Sequence, residues 1–300
     1  MATAKNTEKP TQKRKTAGTK TKSPSKKTAG RSTRKKAKRK QTASEPLIMR
    51  PFIKYLIAGC ITILFTISFY FLCIRPYSYR WRPCFGKKGY GVCMPCCFDV
   101  HGIDISHYQG DIDWEKLKAN NDVKYPIEFV FVKATEGGDH KDTTFTRNFK
   151  AASKAGLVRG AYHFFTPKTD PIKQAEFFIE NVRLKAGDLP PVLDVEVKGK
   201  NEDEEIRQRV KAWLQHVERH YGVKPILYTS YKFKERYLND SVLNTYPYWI
   251  AHYYIDSVRY KGKWKFWQHT DIGIVPGIGE DVDLDVFNGT LDELKALTIK

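Results

Sequence analysis

The sequence predicts an α/β fold: a barrel of mostly parallel strands with an irregular final third, set behind one transmembrane helix and a disordered basic tail. Three observations carry that expectation. From Phe98 onward, short β-branched and aromatic runs alternate with helical patterns, the mark of repeated βα units around a largely parallel sheet. From Tyr55 to Ile74 the chain runs twenty residues without a charge. Ahead of that run, Lys, Arg, Thr, Ser and Ala dominate, with almost no large apolar side chain.

The tail, residues 1–50, holds 17 Lys/Arg against Glu8 and Glu45, so +15 of the formal +19 sits there and +4 is left to residues 51–300. A segment of that composition buries too little apolar surface to offset the entropy of ordering. Its run Arg34-Lys35-Lys36-Ala37-Lys38-Arg39-Lys40 has the charge to neutralise phosphates. A membrane-topology signal accounts for it better, so nucleic acid is not the expected partner.

Residues 51–75 read as a transmembrane anchor that meets the lipid bilayer through residues 55–74. Twenty helical residues at about 1.5 Å each cover the roughly 30 Å hydrocarbon core. A cleaved signal peptide has an apolar region of about 7–15 residues ending in small side chains, whereas this run ends in Ile74-Arg75-Pro76-Tyr77. The basic bias before the span places the amino terminus in the cytoplasm. The expectation is a single-pass protein of the cytoplasmic (inner) membrane, with its large domain periplasmic or extracellular. Residues 76–97 form a connector containing Cys84, Cys93, Cys96 and Cys97, while residues 98–300 contain no cysteine. Four cysteines can pair in three ways, and adjacent Cys96 and Cys97 suit disulfides better than a metal chelate.

Within residues 98–300 the strand candidates are Asp99–Ser106, Phe129–Thr135, Val158–Phe165, Pro191–Glu196, Pro225–Ser230, Tyr248–Tyr253, Lys265–His269 and Val282–Phe287. Helices are expected near Asp113–Ala119, Thr144–Ala155, Pro171–Val182, Glu202–Tyr221 and Lys232–Leu238. The last three strands are joined by segments too short or too glycine-rich for full crossover helices, which argues against a complete eightfold barrel.

Barrels of this kind assemble their sites at the carboxyl ends of the strands, and acids recur there. The fourth strand ends Leu193-Asp194-Val195-Glu196, and residues i and i+2 of a strand share a face about 6.5 Å apart. Like charges in a partly buried mouth push one pKa upward, leaving one carboxyl protonated to donate and one ionised, the division glycoside cleavage needs. Alone, an Asp-x-Glu that ends a strand is more often structural. Here Asp104 on the first strand and Asp283 on the last add carboxyls. His216 and His220 lie on one face of a helix, but Lys211, Glu218 and Arg219 make that face a solvated one, and no metal is expected. The required parts of a phosphate loop, a zinc protease helix or a serine nucleophile elbow are missing.

The segments GIDISHYQG (102–110), FVKATEG (131–137), RGAYHFF (159–165), LPPVLDVE (189–196), ILYTSY (226–231), YWIAHY (248–253), FWQHT (266–270) and VDLDVFNG (282–289) stand in order along about Phe98 to Gly289. With them the chain resembles the family 25 glycoside hydrolases, the Chalaropsis-type lysozymes. That resemblance implies an irregular TIM-like barrel of five βα units followed by three strands. It implies cleavage, with retention, of the β-1,4 bond after N-acetylmuramic acid in peptidoglycan glycan strands, without a cofactor. It also implies Glu196 as general acid/base, with Asp194, Asp104 and Asp283 lining the same cleft and Asp194 orienting the substrate acetamido group. A direct nucleophilic role for Asp194 stays open. Tyr162, Tyr228, Trp249, Tyr253 and Gln268 are the candidate substrate contacts, although aromatic residues in small barrels are mostly core. A non-catalytic glycan-binding module is the alternative reading.

Overall fold

The computed structural model describes residues 50–75, 84, 86, 88–119 and 124–300. Apart from Arg50, the tail expected over residues 1–50 lies outside the described residues, as do residues 76–83 of the connector. The first described element is an α-helix, Pro51–Phe69, continued by a π-helical turn, Tyr70–Ile74. Proline suits the first helical position, where its missing N–H has no intrahelical partner. The 24 residues from Pro51 to Ile74 include an 18-residue window of mean hydropathy 2.3 and are long and apolar enough to cross a membrane.

Among the described residues of the large domain, eight strands close into a ring. They are β1 (His101–Ile105), β2 (Ile127–Glu136), β3 (Val158–Phe164), β4 (Val192–Asp194), β5 (Ile226–Ser230), β6 (Tyr248–Ala251), β7 (Trp264–Gly273) and β8 (Val282–Phe287). Strands β1 to β7 pair in parallel with their neighbours. Strand β8 runs antiparallel to both β7 and β1 and completes the closure. Helix α1 (Trp114–Ala119) follows β1, α2 (Phe145–Lys154) follows β2, α3 (Pro171–Asn181) follows β3, α4 (Asp203–Tyr221) follows β4 and α5 (Tyr231–Tyr237) follows β5. The connections from β6 to β7 and from β7 to β8 contain no α-helix. All eight strand candidates and all five helix candidates are present, with shifted ends. A sixth helix, α6 (Leu291–Leu297), was not anticipated.

The ring exists because the sequence alternates with period two. On β2, Val130, Val132 and Ala134 pack outward against the helices, while Phe129 and Phe131 pack into the lumen. The same parity puts Leu193 outside and Val192 inside on β4, and Leu227 outside and Ile226 and Tyr228 inside on β5. The lumen floor is aromatic: the Phe131 ring stacks on Trp249 at 4.4 Å and meets Phe266 edge-on at 5.0 Å. Gly102 and Gly160 make room for this floor. A Cβ on Gly102 would lie 2.3 Å from the Phe129 ring, and one on Gly160 would lie 2.5 Å from the Phe131 ring.

Outside the ring, α4 buries Ile206, Val210, Trp213, Leu214 and Val217, an i, i+4, i+7, i+8, i+11 stripe, each worth about 2 kcal/mol in removed apolar surface. Acids in its first turn complement the helix dipole, and Gly222 ends it in the left-handed conformation at φ 70°. Asp170 caps α3, accepting from the backbone N–H groups of Ile172 and Lys173 at 2.9 Å, with Pro171 at the first position.

The connector is joined to the barrel. Lys88–Gly89 and Val92–Cys93 form a hairpin across Tyr90 and Gly91, both at positive φ, and Val92 and Met94 pack into the outer core. Of the two disulfides that a full pairing of these four cysteines would give, the structure forms one, Cys84–Cys93, with Cα atoms 5.5 Å apart, and leaves Cys96 and Cys97 as exposed thiols.

Candidate active site

The inward parity that builds the aromatic floor places charges one layer higher. On β2 the next lumen position after Phe131 is Lys133. On β4 it is Asp194, after Val192. On β7 it is Gln268, after Phe266. Asp104 lies near the carboxyl end of β1. Asp283 comes from the start of β8, not the end of a strand, and reaches the same rim because β8 is antiparallel: Asp283 is the direct partner of Asp104. All nine residues singled out from the sequence, Asp104, Tyr162, Asp194, Glu196, Tyr228, Trp249, Tyr253, Gln268 and Asp283, line one cleft of about 240 Å³.

One expectation needs correcting. Strand β4 ends at Asp194, so Glu196 lies beyond it and the strand rule that paired the two side chains does not apply. The backbone turns there: Val195 N–H still donates to Tyr228 O at 3.0 Å, the last such bond of the segment. Asp194 is buried, and Glu196 is exposed on the wall of the same cleft. Trp249, one of the candidate substrate contacts, lines the cleft from within its aromatic core. It is 2 % exposed, clamped between Phe131 and Tyr228, and its Nε1 donates to Asp285 Oδ1 at 2.7 Å.

A hydrogen-bond chain crosses the cleft floor. The hydroxyls of Tyr228 and Tyr253 donate to Gln268 Oε1 at 2.7 and 2.6 Å, and Gln268 Nε2 donates to Asp104 Oδ2 at 2.6 Å. This fixes the amide orientation and holds one oxygen of Asp104. Asp104 in turn hydrogen-bonds Asp285, a fully buried carboxyl not singled out from the sequence. The signal was present in the alternation Asp281-x-Asp283-x-Asp285, which puts the last two on one face.

Five carboxyls so close cannot all ionise. Burial pushes Asp104 and Asp194 well above the usual carboxylate range, and the charge of Asp285 on the first and of Glu196 on the second adds to it. Burial and the neighbouring Asp104, Asp271 and Glu196 raise Asp283 to about 9. Although its side chain opens to solvent at the rim, the surrounding cleft walls desolvate Glu196 and raise it as well, opposed by its contacts with Tyr228, Lys133 and Asp194. Lys133 is the one cation among the described residues lining the cleft. It is 8 % exposed and bonded to Glu136 at 2.7 Å. Sequence reasoning passed over Lys133, although its place two positions after Phe131 was legible. Asp194 Oδ1 is buried without a hydrogen-bond partner, a cost that a functional site tolerates when a ligand supplies the donor.

Comparison with known proteins agrees with this arrangement. The family model described as Glycosyl hydrolases family 25 matches residues 103–278. The protein YegX of Escherichia coli (strain K12) is 42% identical over 219 residues, covering 73% of this chain and 79% of that protein. Lysozyme M1 of Streptomyces globisporus is 32% identical over 213 residues, covering 66% and 71%. Among solved structures, a family 25 glycosyl hydrolase from Bacillus anthracis superposes with a TM-score of 0.61 at 33% identity, covering 67% of this chain and 94% of that one.

Proposed function

Given that this chain belongs to family 25 of the glycosyl hydrolases and is a peptidoglycan-cleaving muramidase, we propose that Glu196 is its general acid/base and Asp194 the residue that orients the substrate. The bond cut is the β-1,4 linkage between N-acetylmuramic acid and N-acetylglucosamine. Glu196, its pKa raised by the desolvating walls of the cleft, donates a proton to the leaving oxygen. The substrate's 2-acetamido oxygen attacks the anomeric carbon from the opposite face, while Asp194 Oδ1 accepts the acetamido N–H and stabilises the positive charge that develops there. Glu196, now ionised, takes a proton from the incoming water, which opens the cyclic intermediate with net retention. Asp104 and Asp283 shape the floor beneath the sugar. Tyr162, Tyr228, Tyr253 and Gln268 complete the sugar site, and Trp249 supports it from below.

The observation that carries this reading is the unpartnered Asp194 Oδ1, buried in the same cleft as Glu196. We read the fold as an irregular TIM-like barrel of five βα units followed by three strands. The helix Pro51–Ile74 is read as a bilayer anchor, with the amino terminus in the cytoplasm and the barrel on the outer side, where peptidoglycan lies.

The test is digestion of purified peptidoglycan by the full chain in detergent, with the new reducing ends identified after borohydride reduction. Muramitol ends are expected from the unmodified protein and none from Glu196→Gln; release of glucosaminitol instead, or of nothing, overturns the proposal. A covalent glycosyl adduct trapped on Asp194 would replace the acetamido route with a direct nucleophile.

A further inference from the structure

The turn after β1 carries a feature that the cleavage chemistry does not use. Tyr108 lines the cleft and is 74% exposed, whereas the other aromatic side chains lining it are buried or half-buried. A large exposed ring contributes little to folding, yet the turn that carries this one is held from several sides.

It sits in the 3-10 turn His107–Gln109, closed by a capping box in which Ser106 N–H donates to Gln109 Oε1 at 2.9 Å and Tyr108 N–H to Ser106 Oγ at 3.3 Å. Gln109 Nε2 donates to Asp281 O at 3.0 Å, tying the turn to the segment that leads into Asp283. The ring lies against His107, with centroids 4.2 Å apart at 33°. His107 is itself fixed by buried Asp142, whose Oδ2 is 2.9 Å from both its backbone N and its Nδ1. Asp142 is locked in turn by the N–H and hydroxyl of Thr144, at 2.9 and 2.7 Å.

An aromatic face held rigid at a cleft rim and open to solvent suits one ligand chemistry above others. A pyranose ring presents a flat face of C–H bonds, and stacking that face on an aromatic ring buries apolar surface on both. Pre-ordering the ring means that little side-chain entropy is lost when the sugar docks. We propose that Tyr108 is a sugar-stacking platform for an N-acetylhexosamine unit of the glycan strand, flanking the unit whose bond is cut. This rests on the muramidase reading and extends the cleft by one sugar on the β1 side.

The test uses the full chain in detergent with insoluble peptidoglycan as substrate. Tyr108→Ala is expected to raise the half-saturating peptidoglycan concentration about five- to tenfold while leaving kcat within twofold, and Tyr108→Trp and Tyr108→Phe are expected to stay within twofold of the unmodified protein in both. A second measurement is independent of turnover: in the Glu196→Gln background, co-sedimentation with peptidoglycan should weaken by the same factor on adding Tyr108→Ala. An unchanged half-saturation and co-sedimentation for Tyr108→Ala would overturn the platform. So would a loss for Tyr108→Phe equal to that for alanine, which would assign the effect to the hydroxyl. If the unmodified chain releases no reducing ends, the cleavage reading fails on its own, and co-sedimentation still decides the role of Tyr108.

Discussion

Replacing Asp283 with asparagine should stabilise the barrel. In the folded chain this carboxyl resists ionisation until about pH 9, against an ordinary value of 3.8. An acid whose folded pKa is raised leaves stability intact below the unfolded value and removes it as pH rises. At pH 7 the penalty is 1.36 kcal/mol for each of the 3.2 pH units between 3.8 and 7, about 4 kcal/mol at full strength. Asp283 is half-buried and cleft water screens it, so roughly 2 kcal/mol is the expected gain for Asp283→Asn. For a barrel of this size that gain lifts Tm by about 4–8 °C. At pH 4 the folded carboxyl is neutral and the unfolded one, at its ordinary value of 3.8, is only just past half ionised, so the difference should shrink to about 1 °C. Thermal melts of the full chain in detergent, followed by tryptophan fluorescence at both pH values, check this. A variant less stable at pH 7, or one with equal gains at pH 7 and pH 4, would refute the argument that a desolvated carboxyl among other carboxyls is the source of the strain.

Lys133→Met removes the cation that opposes the raised pKa of Glu196 and Asp194, so the basic limb of the pH–rate profile, set by loss of the Glu196 proton, should move up by roughly half to one pH unit; an unmoved limb would separate Lys133 from the proton donor. His163 is buried, bonded to Gln174 and Thr135, and pushed down to about 3 by burial. Since the unfolded chain takes up a proton near pH 6.5 that the folded chain refuses, His163 lowers stability by up to about 1.4 kcal/mol per pH unit as pH falls from 6.5 toward 3. In urea titrations between pH 6 and pH 4, His163→Gln should reduce the slope of stability against pH by about that amount. Gly102→Ala drives a methyl group into the Phe129 ring and should cost about 1–3 kcal/mol, read in the same titrations at pH 7.

The strands were legible because period-two alternation is dictated by a sheet with two unlike faces, and here both faces are filled: helices outside, aromatic rings and acids inside. Boundaries were less so. Glu196 was placed on a strand because its spacing from Asp194 fits one, but β4 is only Val192–Asp194 long, and the turn that follows is set by backbone contacts with β5. Helix α6 announces itself by Thr290 and Glu293, a reciprocal capping box, yet it follows so soon after β8 that the sequence reads as the end of the domain. The Tyr90-Gly91 turn was hidden for a different reason: tyrosine rarely adopts the left-handed conformation that the hairpin imposes at φ 50°. The pairing of Cys84 with Cys93 was one of three possibilities, and only the hairpin that carries Cys93 selects it.

Because β8 runs against its neighbours, the domain has a working end and a wiring end. Val100 enters β1 beside Phe287, where β8 finishes, with the N–H of Phe287 donating to Val100 O at 2.9 Å. Leu294 of α6 packs into the same floor, and Ile299 pairs with the Gly187–Asp188 segment ahead of β4. Residues 100 and 287–299 thus meet at the base, opposite the cleft. The loops around the cleft are free to diverge toward different wall chemistries without disturbing closure.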